Sequence, residues 1–350
     1  MSLIFCEGFE DLDSSMTTDQ IRRHLRRRFS RAYFEQGEIV GGRRAGTKAL
    51  KFGKSGGESS FLMLPNLGLF TIYVAGFALY VPSLPASNEV VFTFKDRLYA
   101  DAINLQLTSS GQLSVSTGGI GTVITGTSSA VISESTWHYI EVRLNMAISG
   151  DFDIHVDESS VLSDTGNCVG TNLAPIAFAE WFAPEPADFD DAWILDDIYT
   201  VSGGGSVNNT ILGDTRVVRK VPAADGSDSD WVPASGSDHF AMVDGVGFYS
   251  DSIYLQASSS ADSEMFTLDQ TLYTGTINGI ILHGGFQQSD PNFQKVKLKV
   301  DSNGTPVTSS DFPVSADPQD EFFVSETDPD TASAWDLAGI HAAEFGFEVV

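Results

Sequence analysis

"WHYIEVRLN" (Trp137–Asn145) and, after a short turn, "DFDIHVDE" (Asp151–Glu158) decide how this chain is read. In the first run Ile140, Val142 and Leu144 fall on one face, Glu141 and Arg143 on the other. In the second, Phe152, Ile154 and Val156 alternate with Asp153 and His155. Successive strand side chains point to opposite faces, so this period of two predicts a pair of β-strands, each with one apolar face. Ser149-Gly150 supplies the turn. The pattern recurs on either side, in "TIYVAGFALYV" from Thr71, "NEVVFTFKD" from Asn88 and "AWILDDIYTV" from Ala192. "INLQLTSSGQLSVST" from Ile103 reads as a hairpin about Ser110-Gly111. Many short strands at this spacing predict an antiparallel β-sandwich.

The 350 residues suffice for two domains, and a 42% hydrophobic content supplies their cores. "SGGGSVNN" (Ser202–Asn209) is the clearest break. The sandwich is expected over 1–202, an extended Asp/Ser/Gly-rich arm over 203–248, and a smaller β domain over 249–350. In the last, strands are expected at Ser252–Ala257, Gly275–Gln287 and Phe293–Asp301. Asp330 or Thr331 is expected to cap one short helix running to about Ala343, before a terminal strand.

Charge is distributed unevenly. The net charge is -27, yet six of the twenty basic residues lie within Ile21–Phe34: Arg22, Arg23, Arg26, Arg27, Arg28 and Arg31. Thr17-x-x-Gln20 reads as a capping box, and Ile21, Leu25, Phe29 and Tyr33 recur every four residues, so an amphipathic helix is expected here. Its arginine face is expected to meet acidic protein surface, because a nucleic-acid reader would need attraction over its whole footprint. Two cysteines make no disulfide framework, and both are expected as thiols. The first residues lack a basic leader and an apolar run, so synthesis and folding in a cytoplasm are expected.

"GGRRAGTKALKF" (Gly41–Phe52), "TWHYIEVRLN" and "GDFDIHVDESSV", in that order, resemble the concanavalin A-like, laminin-G-like sandwich, although Glu158 stands where such domains usually carry glycine. A narrower resemblance spans nearly the whole chain. "CEGFEDLD", "GGRRAGTKAL", "ILDDIYTVSGGGSVNNTILGDTRV" and "DPDTASAW" follow one another as in a family of tailed-phage virion structural proteins. The resemblance implies a mainly β chain, with a jelly-roll sandwich followed by a smaller β domain with one short helix. It implies a non-enzymatic virion component of the tail, neck or an external appendage, with copies of itself and other virion proteins as partners. Trp231 and Phe240, in the expected arm, are then candidate anchors into neighbouring subunits.

Catalytic patterns are missing from the sequence. The six histidines (His24, His138, His155, His239, His283, His341) show no zinc-site spacing, and no Walker A motif occurs. Asp151 and Asp153 resemble part of a glucanase carboxylate strand whose final Glu is absent. No cofactor is expected. Calcium is the weakly supported exception, with "DGSDSD" (Asp225–Asp230) and "DFDDAWILDD" (Asp188–Asp197) as oxygen-rich segments whose default reading is solvated loop. The alternative function is a glycan- or host-receptor-binding lectin-like module, with Trp181 and Phe182 as candidate sugar-stacking residues.

Overall fold

The computed structural model describes residues 2–53, 60–65, 67–68, 70–117, 125–168, 176–183, 189–245, 252–271, 273–289 and 294–350. The chain forms two compact units, Met1–Val218 and Arg219–Val350. It is mainly β, as the alternating runs predict.

The N-terminal unit carries β1 (Leu3–Glu7), α1 (Thr18–Arg28), β2 (Arg31–Tyr33), β3 (Gln36–Gly41), β4 (Lys48–Gly53), β5 (Ser60–Pro65), β6 (Ile72–Tyr80) and β7 (Glu89–Asp96). Then come β8 (Asp101–Leu107), β9 (Gln112–Thr117), β10 (Thr125–Ala130), β11 (Trp137–Asn145), β12 (Gly150–Val156), β13 (Ser159–Gly166), β14 (Ile176–Ala183) and β15 (Ile194–Ser202). One sheet runs β13-β12-β11-β6-β15-β4-β3, with β1 also on β15; the other runs β10-β9-β8-β7-β14-β5-β2. The opening stretch forms the predicted hairpin, with Ile140 opposite Val156, Val142 opposite Ile154 and Leu144 opposite Phe152. Those six side chains are buried. Asp157 and Glu158 both adopt positive φ (50° and 67°), the left-handed pair of a two-residue hairpin turn, so Glu158 takes up the conformation usually left to glycine. Between the sheets, Phe92 packs on Phe77 (5.7 Å between ring centroids), Phe94 (4.7 Å) and Trp181 (5.5 Å).

Helix α1 has the expected capping box at Thr17 and Gln20. It ends at Arg28, so Phe29 is an extended cap residue and Tyr33 belongs to β2. Its buried positions are Ile21, Leu25 and Arg28.

The outer face of the first sheet is covered by the unit's own chain. Glu141, on the face opposite the apolar row, is fully buried. Its carboxylate accepts the Tyr199 hydroxyl and the backbone N–H groups of Leu212 (3.0 Å) and Gly213 (2.9 Å). The Tyr199 ring lies where a Cβ on Gly76 would be, so the sheet needs glycine there. The segment 203–217 thus folds back over the sheet that precedes it.

The C-terminal unit carries β16 (Pro222–Ser229), β17 (Val232–Pro233), β18 (Leu255–Gln256), β19 (Ser263–Leu268), β20 (Ile280–Phe286), β21 (Gln294–Ser302), β22 (Thr305–Thr308), β23 (Phe312–Val314), β24 (Gln319–Ser325), α2 (Leu337–Ala342) and β25 (Glu344–Val349). Its main sheet runs β16-β19-β25-β21-β22, with β23 on β21; β17 pairs β18 and β20 pairs β24. Residues 203–245 therefore differ from the arm expected over 203–248: they supply the cover of one unit and the edge strand β16 of the other. The strand was hidden because "PAADGSDS" is held by polar contacts in place of an apolar face. Lys299 Nζ reaches Asp228 (3.1 Å), and the Ser227 N–H donates to Glu344 (3.0 Å). Tyr249, expected near the start of the last domain, lies outside the described residues. Helix α2 starts later than expected, capped by Asp336, whose carboxylate accepts the Gly339 N–H at 2.7 Å. Asp328 instead folds 328–333 into a turn, accepting the Asp330 N–H (3.0 Å) and the Thr331 hydroxyl (3.2 Å).

Candidate functional site

The second sheet of the N-terminal unit bears a groove of about 520 Å³ lined by Arg31, Tyr33, Phe61, Lys95, Tyr99, Glu180 and Phe182. Its side chains stand in rows set by strand register. In one row Tyr33 of β2 is opposite Phe61 of β5, which is opposite Phe182 of β14. Their ring centroids are 5.7 and 5.9 Å apart, so three rings form a continuous band across three strands. In the next row Arg31 is opposite Met63, which is opposite Glu180. In the third Phe178 is opposite Lys95, which is opposite Asp101.

Tyr99 overhangs the third row. Its ring stacks on Phe178 (4.6 Å, 14° between planes), and the Arg31 guanidinium lies 5.8 Å from its centroid. Tyr99 has φ 64°, uncommon for an aromatic residue, and is 52% exposed. A tight turn holds it there. The buried Asp96 carboxylate accepts the N–H groups of Leu98 (2.7 Å) and Ala100 (2.9 Å), and the Tyr99 N–H donates to the Asp96 carbonyl (3.0 Å). Backbone held in a costly region by its surroundings is a feature of ligand clamps.

Lys95 Nζ sits between Asp101 (3.1 Å) and Glu180 (3.2 Å). Burial holds the Glu180 carboxyl above its ordinary value, and Lys95 draws it only part of the way back. Burial pulls Lys95 down, but Glu180 and then Asp101 more than offset that and hold its ammonium above the ordinary value. The groove thus offers apolar ring faces beside fixed charged donors and acceptors.

The residues singled out in the sequence are dispersed. Trp181 is fully buried between the sheets and is no sugar platform; Phe182 lines the groove. Neighbours on a strand face opposite ways, so only one of the two could. Pro184 and Pro186 lie outside the described residues. Of the arginines, Arg31 reaches the groove, and Arg26 lies along the free edge of β2, its Nε donating to the Ala32 carbonyl at 3.3 Å. Arg22 pairs with Asp19, and Arg23 Nε donates to the Asp19 carbonyl (3.4 Å). Arg27 is half-buried. Arg28 is no surface residue: its side chain is 3% exposed and pairs with Glu7 (2.7 Å) and Asp11. Trp231 packs inside its own unit, edge-on to Phe347 at 4.7 Å, its Nε1 donating to the Asp262 carbonyl (3.3 Å). Phe240 is half-buried in a short 3-10 turn, its N–H donating to Asp225 (2.7 Å).

Three of the four segments that carry the virion resemblance, all but "DPDTASAW", meet at one polar cluster. Arg43 Nε pairs with Asp197 (2.7 Å), Arg44 with Asp197 (2.8 Å) and Asp214 (3.3 Å), and Arg43 with Asp214. The Val217 N–H donates to Asp197 (2.8 Å), the Arg43 N–H to Asp196 (3.1 Å) and the Lys48 N–H to Glu10 (3.2 Å). The Arg43 guanidinium also stacks over Tyr139 (4.6 Å). Desolvation pushes the carboxyls of Glu10 and Asp196 each up to about 7. This cluster latches 203–217 to the sandwich.

Among the described residues no group of three or more His, Cys, Asp or Glu side chains is placed to hold a metal. Asp188 lies outside them. The acids of "DGSDSD" belong to or adjoin β16, so that segment is no free loop. His138 and His155 are each tied to a different aspartate, Asp157 (2.8 Å) and Asp153 (2.9 Å). Cys6 and Cys168 are free thiols, pushed up by burial to about 12 and about 11. No helix among the described residues is long and apolar enough to cross a membrane.

No family model and no curated protein matches the chain. Solved structures do. An endo-β-1,4-glucuronan lyase from the fungus Trichoderma reesei is 16% identical, with a TM-score of 0.38, over 50% of this chain and 91% of the lyase. A galectin, LEC-6 of Caenorhabditis elegans, is 13% identical, with a TM-score of 0.30, over 40% of this chain and 89% of the galectin. A Trypanosoma rangeli sialidase is 13% identical, with a TM-score of 0.34, over 47% of this chain but only 27% of the sialidase. Two of these three are enzymes, which corrects the expectation that the chain is not one. What the chain has in common with all three is the β-sandwich.

Proposed function

We propose that the N-terminal unit binds carbohydrate in the groove on its second sheet. The observation that carries this reading is the ring band Tyr33–Phe61–Phe182, with Tyr99 beyond it, set beside Arg31, Lys95 and Glu180. A sugar ring has one face of C–H groups and a rim of hydroxyls. Aromatic faces take the first by burial and dispersion. Charged side chains fixed by their neighbours take the second through charge-assisted hydrogen bonds. The groove's volume falls within the range of small-ligand sites. That the galectin, lyase and sialidase are named for glycan binding or glycan chemistry is in keeping with this reading.

The order of the sequence segments supports reading such a module as part of a tailed-phage particle, in a tail, neck or appendage component that meets the host surface. Repetition of the chain there would convert weak single-site affinity into avidity. A glycan array probed with the purified chain tests the proposal, with Phe182→Ala and Tyr33→Ala as controls. Binding lost in both variants supports it; array binding unchanged by either, or no binding to any glycan, rejects it. Chromatography of the bound glycans after incubation reports whether a bond is also cleaved.

A further inference from the structure

Building on the carbohydrate reading, we infer that the sugar this groove takes carries a carboxylate, and that Arg31 receives it. The chain has 47 acidic and 20 basic residues. Most cations accordingly find a carboxylate within the chain: Arg28, Arg43, Arg44, Lys95, Arg143, Lys220 and Lys299 all do. At the rim of the groove this fails. Arg31 is exposed, and its described neighbours are the Tyr99 ring and, at longer range, the field of Glu180. Arg26, in the last turn of α1, donates to the Ala32 carbonyl. Neither arginine makes an ion pair among the described residues.

Two arginines without a carboxylate partner among the described residues thus lie beside Ala32 of the edge strand in an otherwise acid-rich protein. The other groove cation does not share this position. Lys95 is matched from both sides by Asp101 and Glu180, so it can orient those carboxylates toward sugar hydroxyls but has no charge left to satisfy. A guanidinium fork takes a carboxylate through two parallel hydrogen bonds, and Tyr99 beneath it limits its rotation. An acidic sugar whose ring lies on Phe61 and Phe182 would present its carboxyl group to the neighbouring row, where Arg31 stands. The -27 net charge does not forbid this, because at physiological salt it is screened beyond about 8 Å while the contact is direct.

The test measures affinity for a panel of uronate and sialylated oligosaccharides, each beside its carboxyl-reduced counterpart, together with neutral and sulfated glycans. At least one acidic member is expected to bind, with its carboxyl-reduced form on the order of ten- to a hundredfold weaker, the range of a charge-assisted contact. Arg31→Gln is expected to weaken the acidic sugar far more than its reduced form and so to close most of the gap between the two. Arg31 is exposed, so a thermal melt should match wild type. Equal binding of acidic and reduced forms, preference for sulfated glycans, or an Arg31→Gln variant that binds the acid normally would each overturn the inference. Binding of neutral glycans alone, lost in Phe182→Ala, would overturn it while the carbohydrate reading stands. Failure to bind any glycan would end both.

Discussion

Replacing Arg28 with Ala should unsettle the N-terminal unit far more than replacing any exposed arginine of the same helix. Arg28 Nη1 lies 2.7 Å from Glu7 and 2.9 Å from Asp11, and Nη2 pairs with Asp11 again. The three side chains are 3%, 6% and 11% exposed. Burial alone would pull Arg28 down, yet the two carboxylates hold it well above its ordinary value. Removing the guanidinium leaves two carboxylates out of water without their counter-charge, a change that costs about 3–5 kcal/mol in comparable buried pairs. In a unit of Met1–Val218, each kcal/mol moves the melting point by about 2–4 °C, so a fall of roughly 6–20 °C is expected. Calorimetry of the full chain measures it, with Arg23→Ala as the control expected within about 0.5 kcal/mol of wild type. Adding Glu7→Gln and Asp11→Asn to Arg28→Ala should recover part of the loss, because no uncompensated charge then remains. A loss in Arg28→Ala no larger than in Arg23→Ala would show that the triad is solvated and the reasoning wrong.

Other outcomes follow from the same structure. Glu10 and Asp196 are carboxyls held near 7, above their ordinary values of 4.5 and 3.8, so the native state binds more protons than the unfolded one across that window. Stability should therefore fall as pH rises from about 4 to about 7, and Glu10→Gln, which keeps the acceptor for the Lys48 N–H, should flatten that slope in melts taken across the range. Trp181→Ala should cost about 3–5 kcal/mol of stability, while its neighbour Phe182→Ala should hardly change the melt and should act on ligand affinity, which separates core from groove in two adjacent residues. Asp336→Ala should cost about 1 kcal/mol through loss of the α2 cap, read in urea titrations of the C-terminal unit's transition.

The sandwich was legible because period-two burial governs it: Ile140, Val142 and Leu144 oppose Val156, Ile154 and Phe152 as their alternation implies. Arg28 was placed with the exposed arginines instead. Ile21, Leu25 and Arg28 follow the i, i+4, i+7 spacing of one helical face, but a guanidinium on that face is stable only because Glu7 and Asp11 arrive from another segment. Glu141 illustrates the limit. Its strand parity is correct, yet its burial depends on 203–217, which has no periodicity to announce that it covers anything. The groove was half legible. "IAFAEWFA" alternates Phe178, Glu180 and Phe182 against Ala179 and Trp181, so parity alone separates platform from core. That Tyr33, Phe61 and Tyr99 join Phe182 depends on which strands become neighbours, and single-strand patterns do not encode it.

The pairing of β1 with β15 brings Leu3 opposite Val201, the first strand of the unit against its last. A ribosome adding about 5–20 residues per second needs roughly 10–40 s to cover that distance. Until then the leading strand has no partner, and the arginines at 43 and 44 wait for Asp197 and Asp214. Closure of the first sheet is thus a late event in translation, and a nascent chain stalled short of Leu212 leaves Glu141 and Tyr199 bare to water and to chaperones.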